Sequence, residues 1–120
     1  VPARIVGGDF FDFVPLGPGT LGVAVGDVTD KGLPAAIFMA QARALLRAEA
    51  CSAASPREAL ERVNRHLLQM NDAGLFVTVL YGVLDLAGGL FRYARAGHEL
   101  PLLSDAGGAV TVAPRGSGMA

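Results

Sequence analysis

Apolar positions along the chain fall into blocks of different period. Residues 4–16 and 20–27 are apolar runs separated by Gly17-Pro18-Gly19, a three-residue connection of turn formers that predicts a β-hairpin. After Gly32, Pro34 stands at a first-turn position, and Ile37, Ala40, Ala44 and Ala48 recur three and four apart. That spacing predicts a helix over about 33–50 with this stripe as its apolar face. Ser55-Pro56-Arg57-Glu58 places a capping hydroxyl three residues before a glutamate, so a second helix starts there and runs over about 56–71. Its core stripe is Leu60, Val63, Leu67 and Met70, with Arg57, Glu61 and Arg65 outside it. Phe76 to Leu84 is nearly continuous Val, Leu, Tyr and Thr, the pattern of a central strand buried on both faces. Gly88-Gly89 turns the chain into Leu90 to Ala96, where Arg92 and Arg95 mark exposure, followed by Leu102-Leu103 and Val110-Thr111-Val112. The order strand, strand, helix, helix, strands predicts α+β layers rather than alternating βαβ units.

Composition narrows the functions available. With 120 residues, 52% of them hydrophobic and 18% charged, the chain fits one folded domain with one core. A formal net charge of -1, from ten Lys and Arg against eleven acids, does not supply the basic surface that nucleic acid requires. A small anionic group held through a metal remains compatible. The lone Cys51 has no internal disulfide partner, and no leader or run of about eighteen apolar residues is present. The expectation is a soluble, cytoplasmic protein with no membrane association from this segment. The chain starts on Val1 and stops on Gly118-Met119-Ala120, so both ends read as cut.

The hairpin carries the first candidate chemistry. If residues 17–19 form the loop, Leu16 pairs with Thr20, and counting back places Asp9 opposite Asp27. Directly opposed residues lie on one face with Cβ atoms about 5 Å apart. Two carboxylates at that distance repel by roughly 3 kcal/mol at an effective dielectric near 20. A hard divalent cation reverses that sign, because Mg²⁺ and Mn²⁺ prefer carboxylate and carbonyl oxygen. Gly7-Gly8 and Gly26 leave room beside each carboxylate. The other reading makes both aspartates turn and capping residues at strand ends.

Four blocks in order then resemble one family. Val6-Gly7-Gly8-Asp9-Phe10-Phe11-Asp12-Phe13 resembles the opening motif of the SpoIIE/RsbU-like branch of metal-dependent (PPM-type) protein serine/threonine phosphatases. Gly26-Asp27-Val28-Thr29-Asp30-Lys31-Gly32-Leu33-Pro34-Ala35-Ala36, followed by Met39, is similar to its second motif. Phe76 to Asp85 resembles its third block, and Tyr93-Ala94-Arg95-Ala96-Gly97-His98 with Pro101 its fourth. Agreement of four separated blocks is far more specific than one short motif.

The resemblance implies a β-sandwich flanked by antiparallel helices, in α-β-β-α layers, here truncated at the C-terminus so that residues 1–120 form one partial domain. It implies two or more Mn²⁺ or Mg²⁺ ions, with Asp9 and Asp27 as ligands and catalytic residues and Val28 as a ligand through its backbone oxygen. Water activated by the ions would attack phosphorus in line, without a covalent enzyme intermediate. Cys51, in an Ala-rich stretch, is accordingly not read as a nucleophile. The implied substrate is a phosphoserine or phosphothreonine protein, of the kind exemplified by anti-sigma-factor antagonists. A sensory or receiver domain is expected upstream. A further metal-binding Asp normally comes from a late block, and Asp85, Glu99 and Asp105 do not occupy its setting, so this segment alone is expected to be inactive.

Other residues receive plainer readings. Asp12, at odd spacing from Asp9, points to the opposite face and serves structure. Asp30 replaces a small residue of the second motif and reads as a cap for the helix near Pro34. His98, after Gly97, fixes a turn by hydrogen bonds rather than binding metal. His66 has no apparent carboxylate partner, and Arg4 reads as an exposed strand-end residue. Gly26 to Gly32 lacks the G-x-x-x-x-G-K-[ST] spacing, which disfavours a nucleotide-binding α/β domain. The rival to an enzyme is a catalytically degenerate phosphatase-like module that binds a phosphoprotein without turnover. Against it stands the retained Asp9 and Asp27 pair, which a pure binding module does not need.

Overall fold

Pro18 and Gly19 turn the chain between β1 (Asp9–Gly17) and β2 (Thr20–Val28), with Gly19 at φ 71. Proline first and a left-handed glycine second is the requirement of a type II turn. The closing pair is Gly17 with Thr20, not Leu16 with Thr20 as counting predicted, and the register shifts between Pro15 and Gly17. Leu16 is the extra residue of this bulge. From Pro15 back, the pairs fall where the count placed them, ending on Asp9 opposite Asp27.

The computed structural model describes residues 8–70 and 74–115. β3 (Val77–Asp85) pairs antiparallel with β2, and β4 (Leu90–Ala96) with β3, giving one sheet in the order β1-β2-β3-β4. β5 (Leu102–Ser104) and β6 (Val110–Val112) form a separate two-stranded sheet. α1 (Leu33–Ala50) lies against β1 and β2, and α2 (Pro56–Met70) against β3 and β4, so both helices cover one face of the larger sheet. The chain adopts the expected α+β class, an antiparallel sheet with two helices; of the implied α-β-β-α sandwich, the described residues form one helix layer on one four-stranded sheet, beside the small β5–β6 sheet. As predicted, β3 is internal to the sheet, with Val79, Leu80, Tyr81 and Gly82 buried in succession.

The core sits between sheet and helices: Phe10, Val14, Ala24, Val28, Val79 and Tyr81 from below, and Phe38, Leu46, Val63 and Leu67 from above. On α1 the buried stripe is Ala35, Phe38, Ala42, Leu46 and Ala50, which corrects the predicted one; Ile37 is 52% exposed. An Ala-rich helix offers two stripes of similar period, and the bulk of Phe38 and Leu46 decides which one turns inward. On α2, Val63 and Leu67 are buried as predicted, Leu60 is half-buried, and Met70 at the last turn is exposed. Ser55 Oγ accepts the Glu58 N–H at 3.1 Å, completing the predicted cap, while Glu58 Oε2 accepts from the Ala54 N–H. His66 does have a carboxylate partner, Glu49 of α1 at 3.0 Å, which sequence spacing could not reveal because the pair spans two helices. Arg62 joins the same group through Glu58 and Glu49.

Glycines in the sheet make room for aromatic rings. A Cβ at Gly26 would stand 2.3 Å from the Phe10 ring, and one at Gly82 would stand 2.2 Å from that of Phe91. On the face away from the helices, Phe11, Phe13 and Val25 are exposed, with the Phe11 and Phe13 rings edge to face at 6.1 Å.

Candidate metal centre

Asp9 opens β1 and Asp27 stands one residue before the end of β2, so their pairing lies at one end of the sheet. Both side chains are exposed, on the face opposite the helices, because their neighbours Phe10 and Val28 point into the core. A hydrogen bond shared with the Asp9 carboxyl raises Asp27 above the ordinary carboxylate range, reinforced by slight desolvation and by the Asp9 charge and opposed by His98 and Lys31. A proton shared between two carboxylates relieves their repulsion, and a cation in the same place would do so more strongly.

The backbone around the pair is fixed from three sides. The Val28 N–H donates to the Gly8 carbonyl at 3.1 Å, extending the β1–β2 ladder one step past Asp9. Thr29 N–H donates to the Phe76 carbonyl at 3.0 Å, tying the loop after β2 to the entry of β3. A Cβ at position 8 would stand 2.8 Å from the Val28 oxygen, so glycine keeps that carbonyl clear on one side. Two carboxylates and one carbonyl are hard oxygen donors suited to Mg²⁺ or Mn²⁺. Among the described residues no three His, Cys, Asp or Glu side chains converge on one point.

His98 stands beside the pair. Its ring lines a cavity of about 520 Å³ together with Asp9, Phe10, Phe11, Val25, Gly26 and Asp27. Its Nδ1 lies 3.0 Å from Thr78 Oγ1, and Thr78 is the register partner of Asp27 on β3. Gly97 at φ 68 and a bond from Arg95 to the His98 carbonyl at 2.8 Å set the turn, as the sequence suggested.

The remaining candidates separate from the pair. Asp12 is buried on the helix side, bonded to Arg47 and Arg43. Asp30 does not cap α1: the N-cap is Gly32 with no side-chain cap bond, and Asp30 holds a left-handed φ of 65. That conformation explains why a small residue suits the position. Cys51 is exposed at the end of α1, its Sγ donating to the Arg47 carbonyl at 3.4 Å. Asp85 and Asp105 accept backbone N–H groups within their own turns. Arg4 and Gly7 lie outside the described residues.

Comparison with known proteins gives the family. The family model described as Stage II sporulation protein E (SpoIIE) matches residues 17–120, which include Asp27, Thr78 and His98. Protein IcfG of Synechocystis sp. is 34% identical over 125 residues, covering 82% of this chain and 20% of its own length. The phosphoserine phosphatase RsbU of Bacillus subtilis is 33% identical over 99 residues, covering 82% of this chain and 29% of its own. Among solved structures, the RsbU and RsbW domains of Rv1364c from Mycobacterium tuberculosis align with a TM-score of 0.82 at 38% identity, over 91% of this chain and 30% of that one. The phosphatase domain of SpoIIE from Bacillus subtilis aligns at 0.59 and 18% identity, over 93% of this chain and 47% of that one, a likeness of fold. The chain thus spans between a fifth and a half of the length of these relatives. A model match over most of the chain, joined to the four sequence blocks and the mixed antiparallel fold, means that the chain belongs to the SpoIIE family, with a phosphatase-type domain of the SpoIIE/RsbU kind.

Proposed function

We propose that this domain is a metal-dependent protein serine/threonine phosphatase that hydrolyses phosphoserine or phosphothreonine on a regulatory protein. The observation that carries this reading is the pairing of Asp9 with Asp27 on one face of the sheet. An exposed like-charge pair costs stability in a module that only binds, and it becomes favourable when a divalent cation is held between the carboxylates.

In this reading Asp9 and Asp27, with the backbone oxygen of Val28, hold Mn²⁺ or Mg²⁺, and further donors come from water and from the rest of the domain. Bound divalent cations supply charge neutralisation for phosphoryl oxygens and acidify water. The chain's part is to fix the carboxylates: the β1–β2 register sets their separation, and the Gly8–Val28 and Thr29–Phe76 bonds hold the ends of both strands. Cys51 takes no part. By kinship with RsbU the substrate is proposed to be an anti-sigma-factor antagonist in the cytoplasm, with an upstream sensory or receiver domain in the same protein. Among the described residues no helix is long and apolar enough to cross a membrane.

The test is release of phosphate from a phosphoserine protein by the full-length enzyme, with Mn²⁺ and with a chelator. Turnover that requires the cation and disappears in Asp9→Asn is the expected result. Phosphoprotein binding without turnover would instead establish the degenerate module.

A further inference from the structure

Among the described residues, His98 is the one lining the cavity shared by Asp9 and Asp27 whose side chain can donate a hydrogen bond to an anion; its companions there are two acids, apolar side chains and glycine. It does not complete a ligand set, since no three His, Cys, Asp or Glu side chains among the described residues converge to hold one ion. It is nevertheless held firmly. Gly97 at φ 68 makes the turn, Gly97 bridges to Val79, Arg95 clamps the His98 carbonyl at 2.8 Å, and Thr78 Oγ1 meets Nδ1 at 3.0 Å. A surface histidine needs none of these constraints.

Thr78 links the ring to the backbone of Asp27, whose side chain is one of the carboxylate pair. Its hydroxyl also lies 3.4 Å from the Asp27 carbonyl, and a hydroxyl has one proton to give. When that proton goes to His98 Nδ1, the neutral ring carries its own proton on Nε2, leaving a donor for a ligand in the cavity. When the proton goes to Asp27, Nδ1 is the donor to Thr78 and Nε2 presents a lone pair. An anion in the cavity selects the first arrangement.

We propose that His98, oriented by Thr78, is a substrate-positioning residue that donates from Nε2 to a phosphoryl oxygen of the phosphomonoester held at the Asp9–Asp27 end of the sheet. The proposal rests on the phosphatase reading for its substrate class. It assigns the wall of the cavity beyond the carboxylates to phosphate recognition, and it gives Thr78 a role distinct from strand packing.

The experiment uses the full-length protein with Mn²⁺ and inorganic phosphate as the probe. His98→Asn retains an amide near the Nδ1 position, and so the Thr78 contact, but has nothing at Nε2; His98→Gln places an amide nitrogen nearer Nε2. Calorimetry should show phosphate binding weakened at least about tenfold in His98→Asn and largely recovered in His98→Gln. Mn²⁺ affinity should stay within about twofold of the unsubstituted protein. His66 is occupied with Glu49 and serves as an internal control for ¹⁵N imidazole spectra, in which the His98 signal is assigned by its loss in His98→Asn. Phosphate should move the His98 Nε2 signal and leave His66 still. Equal phosphate affinity in His98→Asn overturns the proposal, as does a parallel loss of Mn²⁺ affinity, which would make His98 a metal ligand. If Asp9→Asn abolishes turnover while His98→Asn binds phosphate normally, the phosphatase reading stands and the role of His98 falls. If the unsubstituted protein takes up no Mn²⁺, the phosphatase reading falls, and the response of the Nε2 signal to phosphate alone decides this proposal.

Discussion

Asp12 leaves β1 on the face opposite Asp9 and meets Arg47 of α1 with both carboxylate oxygens, each 2.9 Å from the same Nη1. Arg47 also donates to the Phe13 carbonyl at 3.3 Å, and Arg43 reaches Asp12 at 3.4 Å. The strand that carries Asp9 is therefore fastened to the helix above it through a buried carboxylate.

Asp12→Asn should destabilise the fold by about 1–3 kcal/mol. The lower part of that range is expected, because both arginines are half exposed and recover water when their partner is lost. Burial alone would raise the Asp12 pKa, but the bonds from Arg47 and Arg43 and their charges outweigh it and hold the carboxyl below its ordinary value. A depressed folded value means that the contribution is complete above the unfolded pKa of about 3.9 and is lost as pH falls below it. Urea midpoints of the two proteins should differ at pH 6 and converge toward pH 3. A constant difference across that range would show that Asp12 acts by packing rather than by charge.

Gly8→Ala should be costly even though it adds one methyl group. The new Cβ would stand 2.8 Å from the Val28 oxygen and 3.1 Å from the Val28 Cβ, and backbone cannot withdraw as a flexible side chain can. A loss of about 1–3 kcal/mol is expected, together with weaker Mn²⁺ binding because the same carbonyl is displaced. Thermal unfolding and calorimetry test the two effects separately. Unchanged Mn²⁺ affinity in a folded Gly8→Ala protein would remove Val28 from the ligand set.

How much of this was legible in the sequence depends on the range of the interaction. The Asp9–Asp27 pairing could be counted because a hairpin register is local, and the miscounted closing pair was compensated by the Leu16 bulge. The α2 cap was legible because Ser55 and Glu58 lie within one turn. The inward face of α1 was not, because Ala40, Ala44 and Ala48 are as apolar as Ala35, Ala42 and Ala50, and what fixes the rotation is tertiary: Phe38 and Leu46 in the core and Arg47 on Asp12. His98 reaches Thr78 from twenty residues away, a contact that strand order creates and no local pattern announces. The conformation of Asp30 was hidden for the opposite reason, since capping and left-handed turns favour the same residue types.

Asp27→Asn and Asp9→Asn should separate stability from chemistry. Each removes half of a repelling pair, so without metal the unfolding midpoint should stay level or rise. With excess Mn²⁺ the unsubstituted protein should gain stability in proportion to the logarithm of ion concentration, and the variants should gain little. Phosphatase activity should fall by orders of magnitude in both. A variant that keeps both the Mn²⁺-dependent stabilisation and turnover near the original would remove the pair from the metal site.

Asp30→Gly should stabilise the protein. Asp30 is the non-glycine residue with positive φ among the described residues, at 65, and it lies in the short link between the Asp27 end of β2 and α1. A side chain in the left-handed region costs about 1–2 kcal/mol, less for Asp than for Ala, because a short polar group can bond locally. Glycine removes that cost but brings extra freedom to the unfolded chain, so a net gain of about 0.5 kcal/mol is expected. Asp30→Ala should lose about 0.5–1 kcal/mol, and Asp30→Val should lose more, since a branched Cβ crowds the backbone further. The order Gly, Asp, Ala, Val in thermal midpoint is the measurable outcome. If Ala matched or exceeded Gly, the backbone at position 30 would not be left-handed in solution, and the path from the carboxylate pair to α1 would differ from the one described.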